Sequence, residues 1–290
     1  MTILVFGGTG TVGRSLVALL RAKGAKVRVI TRSEERAASL GSGIETVIAD
    51  MDDPPSLRPA FQGVESVFLL AANSPQETHQ GLTTLAIATE SPLKHLVYLS
   101  NDLSVTAPLV PHAGAKIAIE TALGASGIPH TILRPTYFAQ NDLLFKDALL
   151  AGAYPAPLGS YPVARVDSRD VAQAAASALL EPPAQSRALL LSGLDAPNGE
   201  ETASLWSAAL GQTVHYPNLT PEAFTETAGP FLPAWLTFDL LIMYRIFARE
   251  GHPPRKQDLE AQDALLPDGP RSYRSFVEET AAAWQGAQCT

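Results

Sequence analysis

The chain is almost without cysteine. Its single one among 290 residues, Cys289, leaves no intrachain disulfide and no cysteine-based metal site, a usage that fits a reducing compartment. Lysine and arginine form no run anywhere and the formal net charge is −8, which argues against a basic surface for nucleic acid. Long hydrophobic stretches are missing too. The most apolar late segment, Leu236 to Phe247, is broken by Asp239 and Arg245 and falls short of the roughly 20 helical residues that cross a bilayer. It reads instead as a buried or pocket-lining helix. The amino terminus enters an apolar strand at once, with no room for a cationic leader and a cleavable apolar segment. The expectation is a cytoplasmic protein with no membrane, nucleic-acid or metal partner.

The informative feature stands at the start. An apolar strand signal, Ile3 to Phe6, runs into Gly7-Gly8-Thr9-Gly10-Thr11-Val12-Gly13, and a helical pattern with Leu16, Leu19 and Leu20 at helical spacing follows. Glycine suits such a turn because it adopts positive φ, lets the backbone approach a pyrophosphate, and allows helix and strand to pack closely. The free N–H groups of the new helix then face the phosphates. A second strand, Val27 to Ile30, completes the βαβ unit that separates this pattern from an ordinary glycine turn.

Short apolar strands and helices then alternate as far as Arg134: strands at Thr46 to Ala49, Ser66 to Ala71, His95 to Ser100 and His130 to Arg134, helices at Ser56 to Phe61, Thr78 to Thr89 and Ala115 to Ser126. Strands that lack a period of two are buried on both faces, so the fold class is α/β with a doubly wound parallel sheet. Residues 1–153 read as the dinucleotide-binding domain and 154–290 as a smaller, mainly helical lobe. A strand at Ala188 to Ser192, after a helix from Arg169 to Leu180, is expected to return to the main sheet.

In such sheets ligands sit beyond the carboxyl ends of the strands. The second strand ends Thr31-Arg32-Ser33, with no carboxylate for a ribose 2′-hydroxyl; Arg32 and Arg36 are placed to hold a 2′-phosphate instead, unless both are simply solvated. Asp50 either accepts from the adenine amino group, with Met51 packed on the ring, or caps the turn that follows. Ala71, Ala72 and Asn73 offer small side chains against a ribose, and Ser100 closes the fifth strand. Lys116 follows on the next helix, where a lysine binds both hydroxyls of a nicotinamide ribose and lowers the pKa of a neighbouring acid.

The glycine turn, Leu99-Ser100, Lys116, the run Ala125-Ser126-Gly127-Ile128-Pro129 through Leu133-Arg134-Pro135-Thr136-Tyr137-Phe138, Val166 to Ala172 and Leu191-Ser192-Gly193 together resemble the NmrA-like branch of the atypical short-chain dehydrogenase/reductases. The resemblance reaches from the amino terminus to about Gly211. It implies a Rossmann-like core and NADP(H) as preferred cofactor, with NAD(H) as the alternative, and a small lobe over the nicotinamide. It also implies cofactor contacts from Gly7, Thr9, Gly10, Thr11, Val12, Gly13, Pro135, Tyr137 and Phe138.

The family holds both reductases of quinones, azo compounds and enones and nucleotide sensors that act on partner proteins. Catalytic short-chain dehydrogenases carry a tyrosine four residues before the lysine. Here that position is His112, in a stretch, Pro108 to His112, that reads as a loop. His112 and Tyr137 are therefore the candidate proton donors beside Lys116. Asn141, Tyr161, Phe231, Trp235 and Met243 are the candidate apolar walls for a planar substrate, although an aromatic is more commonly plain core. The expected function is an NADPH-dependent oxidoreductase acting on a small molecule as monomer or homodimer; the alternative is a non-catalytic NADP(H) sensor with a protein partner.

Overall fold

The computed structural model describes residues 1–103 and 110–288. Cys289, and Pro108 and Leu109 of the stretch before His112, lie outside them. Seven strands, β1 (Thr2–Val5), β2 (Lys26–Thr31), β3 (Glu45–Ile48), β4 (Ser66–Leu69), β5 (His95–Leu99), β6 (His130–Pro135) and, later in the chain, β9 (Arg187–Leu191), form one sheet. Its order is β3-β2-β1-β4-β5-β6-β9, parallel throughout. Order therefore reverses between β1 and β4, the crevice where doubly wound sheets bind dinucleotides. The late strand does return to the sheet, beside β6.

Alternation hides inside the continuous apolar runs. Ile3 and Val5 of β1 face one layer, while Leu4 and Phe6 face the other. The first layer is α1 (Thr11–Ala22) packed on α7 (Ser168–Leu180) through Leu16, Val17, Leu20 and the alanines of α7. The second comprises α3 (Pro54–Leu57), α4 (Glu77–Thr89) and α5 (Pro111–Ala125); the short α2 (Glu34–Ala38) flanks β2 and β3. Gly81 of α4 admits Ile119 of α5 so closely that a Cβ would lie 2.4 Å from its Cδ1. The two helices follow parallel strands and so run the same way, which brings Glu77 and Lys116, about one turn nearer their amino ends, face to face.

α5 begins at Pro111, four residues before the helix expected from the sequence, so His112 stands on the helix and not in a loop. Pro111 occupies the first helical turn, where its missing N–H costs nothing.

The lobe has its own core. Beyond the two-stranded pair β7 (Tyr137–Phe138) and β8 (Arg165–Val166), it is built from α6 (Lys146–Leu150), α8 (Gly199–Leu210), α9 (Pro221–Ala228), α10 (Ala234–Glu250) and α12 (Tyr273–Gln288). Buried Asp142 accepts from Tyr154 Oη at 2.8 Å, from Trp206 Nε1 at 3.3 Å and from the Tyr273 hydroxyl. Arg165 lies over the Tyr273 ring, 4.3 Å from its centroid. Between α10 and α12 the chain comes back to the sheet through α11 (Lys256–Gln262). There the fully buried Gln262 amide donates to the Ser192 carbonyl and accepts the Ser192 N–H, each at 2.9 Å, and Leu265 and Leu266 enter the α1/α7 layer. No helix among the described residues is long and apolar enough to cross a membrane.

Candidate active site

The glycine turn is shaped for an anion. Gly7 takes φ +68°, and its carbonyl accepts the Gly10 N–H at 2.9 Å. A Cβ on Gly13 would lie 2.1 Å from the Gly7 oxygen, so only glycine lets α1 start this close to β1. Gly10 caps α1 in an extended conformation with no side chain accepting the first-turn N–H groups of Thr11, Val12 and Gly13. The Thr9 carbonyl accepts Arg14 Nε at 2.8 Å.

Arg32 and Arg36 are both exposed past the end of β2, and neither guanidinium has an ion-pair partner among the described residues. Ser33 caps α2 by accepting the Arg36 N–H at 3.3 Å, which fixes the two arginines on one turn. Asp50 spends Oδ1 on the Asp52 N–H at 3.0 Å, the turn-forming alternative, and keeps Oδ2 open; Met51 packs partly on the second layer. Ala71 is buried, while Ala72 and Asn73 are exposed at the crevice. Four polar atoms just beyond β4, β5 and β6 are buried without a partner: Ser74 Oγ, Ser100 Oγ, Asn101 Oδ1 and Thr136 Oγ1. A buried polar atom left unpaired costs about 1–3 kcal/mol, and these three hydroxyls and one amide oxygen all lie at the carboxyl ends of the central strands.

At the centre is a buried ion pair. Lys116 Nζ lies 2.5 Å from Glu77 Oε1 and 3.4 Å from the Leu99 carbonyl, and sits over the Tyr98 ring. Glu77 is wholly buried, and burial pushes its carboxyl above the usual range even though Lys116 pulls it down. One turn earlier on α5, His112 Nδ1 lies 2.6 Å from Oδ2 of Asp239 on α10, and the His112 N–H donates to Oδ1 at 3.1 Å. His112 and Asp239 stand with Asn73, Thr78, Trp235 and Phe238 on the wall of a cleft of about 250 Å³ at the carboxyl ends of β4 and β5.

A second cleft, about 270 Å³, lies between the β6–β9 edge and α11. Its arginines, Arg134 and Arg255, are already engaged by Glu120 and Asp258, and it is remote from the glycine turn. The chemistry gathers in the first.

Of the five residues expected to receive substrate, Trp235 is on the cleft wall. Phe231 is 86% exposed and Tyr161 half exposed, Met243 packs against the lobe core, and Asn141 belongs to the short helical stretch Ala139–Phe145. Tyr137 is buried in the lobe core, its hydroxyl 3.2 Å from that of Tyr244 and its ring edge-on to Phe247. Burial holds its phenol well above the usual pKa, so the geometry gives it a packing place and not a free proton. Pro135 is buried and Phe138 half-buried against the α1/α7 layer. Glu77, Asp239 and Phe238 were missed. The available signal was Asp239 itself, an acid inside the most apolar stretch of the chain.

Parallel strand order, a glycine cradle and the crevice at the reversal point define a dinucleotide-binding protein of the doubly wound α/β class. The chain belongs to the NmrA-like family, whose profile matches residues 1–276. It is 30% identical over 223 residues to an NAD(P)H azoreductase of Xenophilus azovorans, covering 76% of this chain and 78% of that protein. Among solved structures it resembles an NADPH-dependent quinone oxidoreductase from Escherichia coli complexed with NADPH, with TM-score 0.85, 25% identity and 96% and 99% of the two chains covered. The fold is also that of NmrA, a negative transcriptional regulator in complex with NADP, with TM-score 0.82, 20% identity and 99% and 97% covered.

Proposed function

We propose that this protein is an NADPH-dependent reductase that transfers hydride to a small planar electrophile, a quinone, azo compound or enone, in the cytoplasm, as a monomer or homodimer. The observation that carries the reading is the cleft beside His112 and Trp235: it opens where the crevice meets the lobe, with an apolar wall on one side and the Lys116 helix on the other. Relatives named as azoreductase and quinone oxidoreductase support it.

The residues fit the cofactor. The first-turn N–H groups of α1 would hold the pyrophosphate, and Arg32 with Arg36 the 2′-phosphate. Asp50 Oδ2 is free for the adenine amino group, and the backbone at Ala71 and Ala72 offers a flat bed for a ribose. Lys116 spends donors on Glu77 and Leu99 and retains one for the nicotinamide ribose. When bound, the reduced nicotinamide supplies the hydride. The protein's own work is to bind, orient and exclude water.

The test is NADPH oxidation against a panel of quinones, azo dyes and enones, with cofactor binding titrated in parallel. Turnover with any member supports the reductase. Tight binding with no turnover supports the second reading, an NADP(H) sensor with a protein partner, which the absence of a tyrosine at position 112 favours. For the 2′-phosphate, Arg32→Ala should weaken NADPH by about 1.5–3 kcal/mol and leave NADH nearly unchanged; equal losses, measured by fluorescence titration, would remove Arg32 from that role.

A further inference from the structure

Asp239 stands where an apolar helix should carry an apolar residue. α10 turns Tyr244 and Phe247 into the lobe core, and an unpaired carboxylate at 1% exposure would be costly there. Both its oxygens are instead committed to one residue, His112: Oδ2 to the ring at Nδ1, and Oδ1 to the backbone N–H. This double grip fixes the ring's orientation and tautomer. Nδ1 keeps its hydrogen towards the carboxylate, and Nε2 is the nitrogen left to react. Nε2 has no partner among the described residues, and the imidazole keeps 15% of its surface exposed on the cleft wall. A pairing that served packing alone would bury the ring; this one presents it.

We propose that His112 is the general acid of this site, oriented by Asp239, and that the acceptors it serves are neutral molecules that become anions on taking up hydride. The inference rests on the reductase reading. Hydride from the reduced nicotinamide brings two electrons and bonds to an acceptor carbon of a quinone or enone. The displaced π pair moves to oxygen, and the proton on Nε2 bonds there. His112 is left neutral and regains its proton from water in the cleft, and the oxidised cofactor leaves. A cationic dye needs no such donor, because hydride added to a carbocation gives a neutral product directly.

Three charged groups face the imidazole: Asp239 from α10, Lys116 on its own helix and Glu77 from α4, whose carboxyl feels both His112 and Asp239. The pH profile of the pair therefore reads the whole cluster, and Asp239 acts in it as a positioning residue.

The experiment is steady-state reduction of a neutral naphthoquinone by the full chain with NADPH, between about pH 5 and 9, for wild type, His112→Gln and Asp239→Asn, with NADPH affinity titrated for each. In His112→Gln, kcat should fall about 100-fold with NADPH affinity held within about threefold, and the fall in rate at high pH should vanish. In Asp239→Asn the pH profile of kcat should change with NADPH affinity held within about threefold, because the ring has lost the carboxylate that fixes its orientation. A His112→Gln variant within about threefold of wild-type kcat, or an Asp239→Asn profile that does not move, overturns the proposal. Should His112→Gln lose cofactor binding through misfolding, the Asp239→Asn profile alone decides. A wild type that binds NADPH and reduces nothing overturns the reductase reading itself and the acid with it, whereas an active wild type with an indifferent His112 overturns the acid alone.

Discussion

Gly10→Asp should give a folded protein that no longer holds NADPH. Gly10 has φ −85° and ψ −178°, extended backbone that any residue adopts, and it stands at the cap of a helix with no side-chain cap. An aspartate there would accept a first-turn N–H of α1, a contribution of a few tenths of a kcal/mol over glycine. Its Cβ would sit 3.3 Å from the Gly7 oxygen, a contact that gives way by a small shift. Stability should therefore stay within about 0.5 kcal/mol of wild type, while the carboxylate takes the N–H groups and sets a like charge against the pyrophosphate. A loss of at least about 100-fold in affinity, close to 3 kcal/mol, is expected. Thermal unfolding alongside cofactor titration checks both halves, and NADPH affinity within about fivefold of wild type would move the phosphates off this helix end. Gly13→Ala is the contrasting case: its Cβ would meet backbone at 2.1 Å, so fold and cofactor should fail together.

The second large effect lies in the buried ion pair. Lys116→Met leaves Glu77 without a counter-charge at full burial, and breaking such a pair costs about 3–5 kcal/mol. The sign with pH follows from the carboxyl. Its pKa in the folded protein is already raised by burial and rises further once the lysine is gone. The folded state then binds a proton that the unfolded chain has released, so the penalty is full above the folded pKa and shrinks as pH falls through it. Urea unfolding at neutral and mildly acid pH should show that narrowing; a penalty that grows on acidification would mean Glu77 is not the stranded charge. The pair Glu77→Gln with Lys116→Met should regain most of the stability, because neither buried charge remains. NADPH-dependent turnover should not return with it. Recovery of both would reduce Lys116 to a structural partner of Glu77.

These two sites differ in how they are written in the chain. The glycine turn is local: seven consecutive residues carry the positive φ at Gly7, the helix start at Gly10 and the close approach at Gly13. The parallel sheet was legible for a similar reason, since each short apolar strand needs a helix on both faces. The proton-bearing cluster is not local. His112 and Asp239 are 127 residues apart, and no spacing rule joins an acid on one helix to an imidazole on another. Glu77 was equally silent, because the contact that sets it against Lys116 is the close passage of α4 and α5 at Gly81. Composition could not sort the aromatics named for the substrate: Trp235 and Phe231 are the same kind of signal in the sequence, yet one stands on the cleft wall and the other is bathed in solvent.

The amide clasp between Gln262 and Ser192 closes the chain's excursion through α8, α9 and α10 into a loop pinned at its base, and the element carrying Asp239 and Trp235 lies inside it. Leu265 and Leu266, just beyond the clasp, secure the same base by packing into the α1/α7 layer. The two ends of the excursion are thus tied to each other at the edge of the sheet, so Asp239 and Trp235 are carried on a segment anchored at both ends.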